Sequence, residues 1–167
     1  MTSSAVVRPA APRDADAVAA LLDELDELQR PWRVFPPRPG ARTSVLQRLR
    51  GAEDDEDASH LVAEVEGRVV GMAYAHVVQP STQSDERAVE VSAFVVREAD
   101  RGRGAGSALL EACVRFARER GVGRLTLKTF AQNQASLDYW RRRGFSDRMV
   151  QLTASVDAVD AARIDPI

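Results

Sequence analysis

"AVEVSAFVVREADRGRGAGSALL", residues 88–110, runs from an apolar, β-branched stretch through a glycine-rich turn into the start of a helical pattern. Residues 88–96 read as a strand buried on both faces. Behind the turn, Leu109, Leu110, Cys113, Val114 and Ala117 share one helical face, and Gly121 closes the helix. A surface turn needs one or two glycines; Gly102, Gly104 and Gly106 alternate, as expected of backbone that a ligand must approach closely. Backbone N–H groups of the turn and of the first helical turn converge on one point, where the helix dipole favours an anion. Side chains at the three glycines would block that approach, and Arg101 and Arg103 offer charge-assisted contacts to phosphate.

Outward from this segment the chain alternates strands and helices. Residues 5–10 read as a first strand, and Pro12 and Asp14 open a helix in which Val18, Leu21, Leu22 and Leu25 recur at helical spacing. Residues 31–40, with four prolines and a glycine, read as a loop, 44–50 as a short helix, and the acidic run 53–57 as a solvated loop. Residues 60–78 read as a hairpin turning at Glu66 and Gly67, with a polar turn following at 79–87. Residues 124–130 alternate like a strand, 133–145 read as a helix ending at Gly144, and 148–156 as a last strand. No repeat or linker divides the chain, so a single α/β domain over residues 1–167 is expected.

Composition narrows the function. At 167 residues and 44% apolar the chain can bury a sizeable core, and no apolar run nears the roughly 18 residues of a membrane span. A net charge of −2 argues against a nucleic-acid partner. One cysteine, Cys113, makes neither an internal disulfide nor a zinc set, so no metal is expected. The N-terminus lacks the build of a secretory signal, which favours a soluble cytoplasmic protein. Lys128 is the only lysine; against so high an arginine background, an arginine carries less meaning than usual.

The glycine segment fails two nucleotide-binding patterns. G-x-G-x-x-G would need a glycine where Ser107 stands, and the P-loop would need a Lys-Ser/Thr pair that is absent. It does satisfy R-x-x-G-x-G, read as Arg101, Gly104 and Gly106. Together with "GRVVGMAYA" (67–75), "VEVSAFVV" (89–96), "ARERGVGRLTLKTFAQN" (117–133) and Asn133-x-x-S-x-x-Y-W-x-x-x-G-Phe145, the chain resembles the GNAT acetyltransferase superfamily over nearly its whole length.

That resemblance implies an α/β (α+β) fold with a mixed, mostly antiparallel central sheet and flanking helices. It implies acetyl-CoA as cosubstrate, with acetyl transfer to a primary amine of a small molecule or peptide, or a longer acyl chain in its place. By the same likeness the fourth strand parts from the fifth at a bulge. The pantetheine arm would lie in that opening, along the backbone of Phe94, Val95 and Val96. The pyrophosphate would rest on Arg101, Gly102, Arg103, Gly104, Ala105, Gly106 and Ser107, and Asn133 matches the family asparagine that contacts the coenzyme.

Glu90, on the strand before the turn, is the candidate general base, because a lysine-type ammonium with a pKa near about 10.4 must lose its proton before it attacks. A main-chain N–H near Val95 or Val96 would polarise the thioester carbonyl. Family members often carry a tyrosine acid seven residues after the asparagine, but here that position is Trp140, and Tyr139 stands one place earlier. Either Tyr139 faces the core and no tyrosine acid exists, or the helix is shifted by one. The acceptor would enter beside residues 22–50, near Trp32 and Phe35, where Asp23, Glu24, Asp26 and Glu27 suit a cationic amine. His76 reads as a structural histidine or one facing the acceptor cleft, and Cys113 as core. A homodimer is expected by likeness to the family. A non-catalytic acyl-CoA sensor or scaffold is the alternative reading.

Overall fold

The computed structural model describes residues 5–33, 39–50, 55–80 and 86–161. Phe35, the first two residues of the acidic run and most of the polar turn at 79–87 fall outside them. Two compact units divide the chain, Met1–Gln132 and Asn133–Ile167.

The first unit follows the order β1 (Val6–Pro9), α1 (Ala15–Gln29), α2 (Ala41–Arg50), β2 (Ala58–Val65), β3 (Arg68–Val78), β4 (Ala88–Val96), α3 (Ala105–Glu119) and β5 (Leu125–Leu127). The strands lie side by side in chain order; β1 to β4 are antiparallel and β5 runs parallel to β4. Antiparallel neighbours need only short turns, and β2 and β3 meet through Glu66 and Gly67, both at positive φ (52° and 77°), as a tight hairpin requires. A parallel pair needs a crossover, which α3 supplies.

Each face of the sheet carries its own core. On one face Ala105, Leu109, Ala112, Cys113, Phe116 and Ala117 of α3 pack on Ala73, Ala75, Val77, Val89 and Val91. The many alanines let the helix axis come close to the strands. On the other face Val18 and Leu21 of α1 and Leu49 of α2 meet Val62, Met72 and Val95. Burying one such leucine contributes about 1.5–3 kcal/mol.

Ion pairs tie the ends of this frame. The Arg8 guanidinium donates to both oxygens of buried Asp14 (2.7 and 3.0 Å) and to Glu64 (2.8 Å), fastening β1 to β2 and to the start of α1. Arg8, assisted by the Ala11 N–H, holds the Asp14 carboxyl below the usual carboxylate range.

Three expectations change. β4 is not buried on both faces: Val89, Val91 and Val95 are buried but Ser92 is exposed, because α1 and α2 cover only part of that face. The strand expected over 124–130 contracts to Leu125–Leu127. Residues 148–156 form no strand. In the second unit, which holds α4 (Gln134–Arg141) and α5 (Val156–Ala161), Met149, Val150 and Leu152 are 86%, 79% and 88% exposed. Apolar β-formers there lack a partner strand among the described residues, and propensity alone does not make a ladder.

Candidate active site

β5 pairs with β4 only at Val89, Glu90 and Val91, and there the two strands part. At the same level the β3–β4 register slips, with Ala75 opposite Val91 but Tyr74 opposite Ala93, so Ser92 is the extra residue of a bulge. The opening and bulge expected from the family likeness are therefore built into β4.

Beyond it, the Arg97 N–H donates to the Val70 carbonyl at 2.8 Å, and a single 3-10 turn, Glu98–Asp100, leads into the glycines. Buried Asp100 receives two bonds from the Arg68 guanidinium (3.1 and 3.0 Å), which hold its carboxyl below its ordinary range and pin the turn to the start of β3. Arg101 Nε donates to the Val96 carbonyl at 3.0 Å, joining the strand end to the turn.

Gly102 (φ 76°) and Gly104 (φ 89°) adopt left-handed backbone, and a β-carbon at either would meet open space. Gly106, by contrast, is the second residue of α3 with helical backbone. The first bond of the helical ladder runs from the Ala108 N–H to the Gly104 carbonyl at 3.0 Å. The N–H groups of Ala105, Gly106 and Ser107 precede that ladder, so the helix itself gives them no acceptor, and exposed Arg103 lies just before them in the chain.

On the α1–α2 face of the opening lies a polar cluster. Glu90 stands opposite His76 in the β3–β4 ladder and pairs with Lys128 Nζ at 3.0 Å. Ser92 Oγ lies 3.1 Å from His76 Nδ1 and donates a longer bond, 3.4 Å, to Glu90 Oε1. Tyr74 stacks between His76 (ring centroids 5.4 Å) and His60 (4.4 Å), and Arg48 of α2 donates to its hydroxyl at 2.9 Å. Burial, with the Arg48 charge nearby, pushes the His60 imidazole below the usual histidine range. Sequence reasoning missed Ser92, Lys128 and the Arg68–Asp100 clamp. Period-two spacing of Met72, Tyr74 and His76 was the signal for the stack.

Other site expectations resolve locally. The four acidic residues expected beside the acceptor, Asp23, Glu24, Asp26 and Glu27, already have partners. Asp23 pairs with Arg42 and Glu27 with Arg30, Asp26 meets Arg33 at 2.6 Å, and Glu24 accepts the Glu98 N–H at 3.0 Å. Cys113 is fully buried and its thiol is pushed up to about 11 by desolvation, so it is core. In the second unit Asn133 caps α4, its Oδ1 accepting the Ser136 N–H at 3.1 Å. Trp140 is buried against Phe145, and Gly144 (φ 87°) keeps the expected register. Tyr139 is half-buried with Arg143 over its ring at 3.5 Å, and burial raises its phenol. Among the described residues no cluster of His, Cys, Asp and Glu could hold a metal ion, and no helix is long and apolar enough to cross a membrane.

The sequence profile of the Acetyltransferase (GNAT) family matches residues 22–145, which include β4, the glycine turn and the polar cluster. The chain belongs to the acetyltransferase (GNAT) family. It is 33% identical over 101 residues to the probable N-acetyltransferase camello of Xenopus tropicalis, an alignment covering 60% of this chain and 44% of that protein. The chain thus spans less than half the length of the curated relatives it matches, 44% and 42%. Among solved structures, a transcriptional regulator from Bacillus halodurans C-125 superposes with a TM-score of 0.71 at 21% identity, covering 90% of this chain and 99% of that one. A predicted acetyltransferase from Clostridium acetobutylicum, determined with acetyl-CoA, gives 0.68 at 14% identity, covering 92% and 97%. At such identities these structures speak for the fold.

Proposed function

We propose that this GNAT protein transfers an acetyl group from acetyl-CoA to a primary amine of a small molecule or peptide. The observation that carries this reading is the parting of β4 from β5 after Val91, directly beside the polar cluster and upstream of the first-turn N–H groups of α3. The chain's own groups fit the coenzyme. The pantetheine would run along Phe94, Val95 and Val96, with the Val96 carbonyl reserved for Arg101. The pyrophosphate would rest on residues 101–107, where Gly102 and Gly104 leave room at the backbone. Asn133 matches the family asparagine that contacts the coenzyme, and in this chain its Oδ1 is spent on its own helix.

In the reaction the amine loses a proton to the cluster headed by Glu90 and attacks the thioester carbon. A C–N bond forms, the C–S bond breaks, and the thiolate leaves. A thiol's pKa near about 8.5 makes that departure easy, so loss of a tyrosine acid does not abolish the chemistry.

The test is thiol release by the full chain with acetyl-CoA over a panel of amines, amino acids and aminoglycosides, alongside calorimetric titration of acetyl-CoA. Release with at least one amine supports the reading. Binding without release across the panel would make the chain an acyl-CoA-binding module, and no binding would overturn the proposal.

A further inference from the structure

The geometry points to His76, rather than Glu90, as the atom-level proton acceptor of the cluster, with Ser92 and Glu90 as its positioning residues. This inference rests on the acetyltransfer reading above.

A carboxylate only accepts hydrogen bonds, so the Ser92 hydroxyl spends its single proton on Glu90 Oε1. Ser92 Oγ can then meet His76 Nδ1 at 3.1 Å only as acceptor, which puts the ring proton on Nδ1. Nε2 is left as the lone-pair nitrogen, and among the described residues no hydrogen bond reaches it. The relay reads His76 Nδ1–H to Ser92 Oγ–H to Glu90.

Glu90 itself is poorly free to act. Its second oxygen, Oε2, is held by Lys128 Nζ at 3.0 Å, and Oε1 takes Ser92. Both carboxylate oxygens are thus already engaged, and the carboxylate stands two hydrogen bonds from the imidazole. The ring is fixed from its flanks as well. Tyr74 stacks on it at 5.4 Å and is held by Arg48, and the bulge at Ser92 delivers the hydroxyl at the edge of the β4–β5 opening. The charged and titratable groups around the ring are therefore Glu90 of β4, Lys128 after β5, Tyr74 of the same strand, His60 of β2 and Arg48 of α2.

The step balances. His76 Nε2 takes one proton from the acceptor ammonium. The neutral amine forms its C–N bond as the C–S bond breaks, the amide nitrogen gives its remaining extra proton to the departing thiolate, and the imidazolium returns its proton to water.

The experiment measures kcat and KM for the best amine, with acetyl-CoA affinity by calorimetry, in wild type, His76→Ala, His76→Asn, Ser92→Ala and Ser92→Thr. Asparagine keeps a donor for Ser92 and removes Nε2, so it serves where alanine fails to fold. Removing a general base costs about 10²–10⁴-fold. Both His76 variants are expected to lose kcat in that range with acetyl-CoA affinity kept, and added imidazole should restore His76→Ala at least in part. Ser92→Ala should lower kcat with KM unchanged, and Ser92→Thr, which keeps the hydroxyl, should recover it. An active wild type beside a His76→Asn variant of equal kcat overturns this inference alone. An inactive wild type that binds no acetyl-CoA overturns the underlying reading and this inference with it.

Discussion

Gly71→Ala tests whether β3 sets the position of the strand that would carry the coenzyme. Gly71 pairs with Val96, and a β-carbon there would lie 2.9 Å from the Val95 carbonyl oxygen, 3.1 Å from Val96 Cγ2 and 3.2 Å from Leu109 Cδ1. Ordinary contact begins at 3.4 Å, so the carbonyl is about half an ångström too close. The crowding atom is backbone in a paired strand, and the leucine is fully buried, so neither yields cheaply. Overpacking of this kind costs about 1–3 kcal/mol. Alanine restricts the unfolded chain and returns about 0.4–1 kcal/mol. The net loss of about 1–2 kcal/mol corresponds to a Tm about 2–8 °C lower for a chain of this size. Because the displaced atoms belong to Val95 and Val96, calorimetry should also show weaker acetyl-CoA binding. Gly123→Ala is the control, since a β-carbon there meets nothing within 4 Å and its Tm should hold or rise. A Gly71→Ala protein with the Tm and acetyl-CoA affinity of wild type would refute the reasoning.

The glycine turn separates backbone need from ligand need. Gly104→Ala, at φ 89°, should destabilise by about 1–2 kcal/mol, whereas Gly106→Ala in helical backbone should stabilise by about 0.5–1 kcal/mol; thermal melts should split the two by sign, while acetyl-CoA titration should weaken in both. The Tm followed by circular dichroism should fall in two stages as pH is lowered. His60, half-buried with its folded pKa lowered, contributes stability that fades as pH falls from about 6.5 through its folded value; Asp14 and Asp100, lowered by Arg8 and Arg68, contribute stability that fades below about 3.8. Replacing His60 by phenylalanine should remove the first stage, and its persistence would count against that assignment. Cys113, its thiol pushed up to about 11, should resist iodoacetamide at neutral pH in the folded protein and react fully in guanidinium, as read by mass spectrometry.

Much of the frame was legible because it rests on local chemistry. Helical spacing found α3 and its Leu109–Cys113 face, the Glu66–Gly67 pair found the hairpin, and the turn glycines found the start of α3. The strand expected at 148–156 was not there, since apolar alternation records a preference for a ladder and says nothing of a partner. The site was legible only where motif spacing exposes it. Lys128 lies 38 positions from Glu90, and Arg68 lies 32 from Asp100, pairings that register creates and periodicity cannot announce. The role of the α1 acids misled for the complementary reason. Their charge is plain in the sequence, but Arg42, Arg33 and Arg30 already answer it in the fold.

The bulge at Ser92 explains how one strand serves two ends. In a regular strand, residues 90, 92, 94 and 96 would share a face, and Phe94 and Val96 would follow Glu90 toward α1 and α2. Instead Phe94 and Val96 pack with the α3 core, while Ala93 and Val95 pack with the α1–α2 core. The extra residue inverts the alternation, so two consecutive residues, Ser92 and Ala93, follow Glu90 onto one face. That inversion lets β4 present a polar half, Glu90 and Ser92, to His76 and an apolar half, Val95, to Met72 on the same side of the sheet. It also falls where β5 leaves, so the kink that parts the strands is the kink that brings the hydroxyl to the imidazole. The opening and the proton relay are thus two consequences of a single inserted residue.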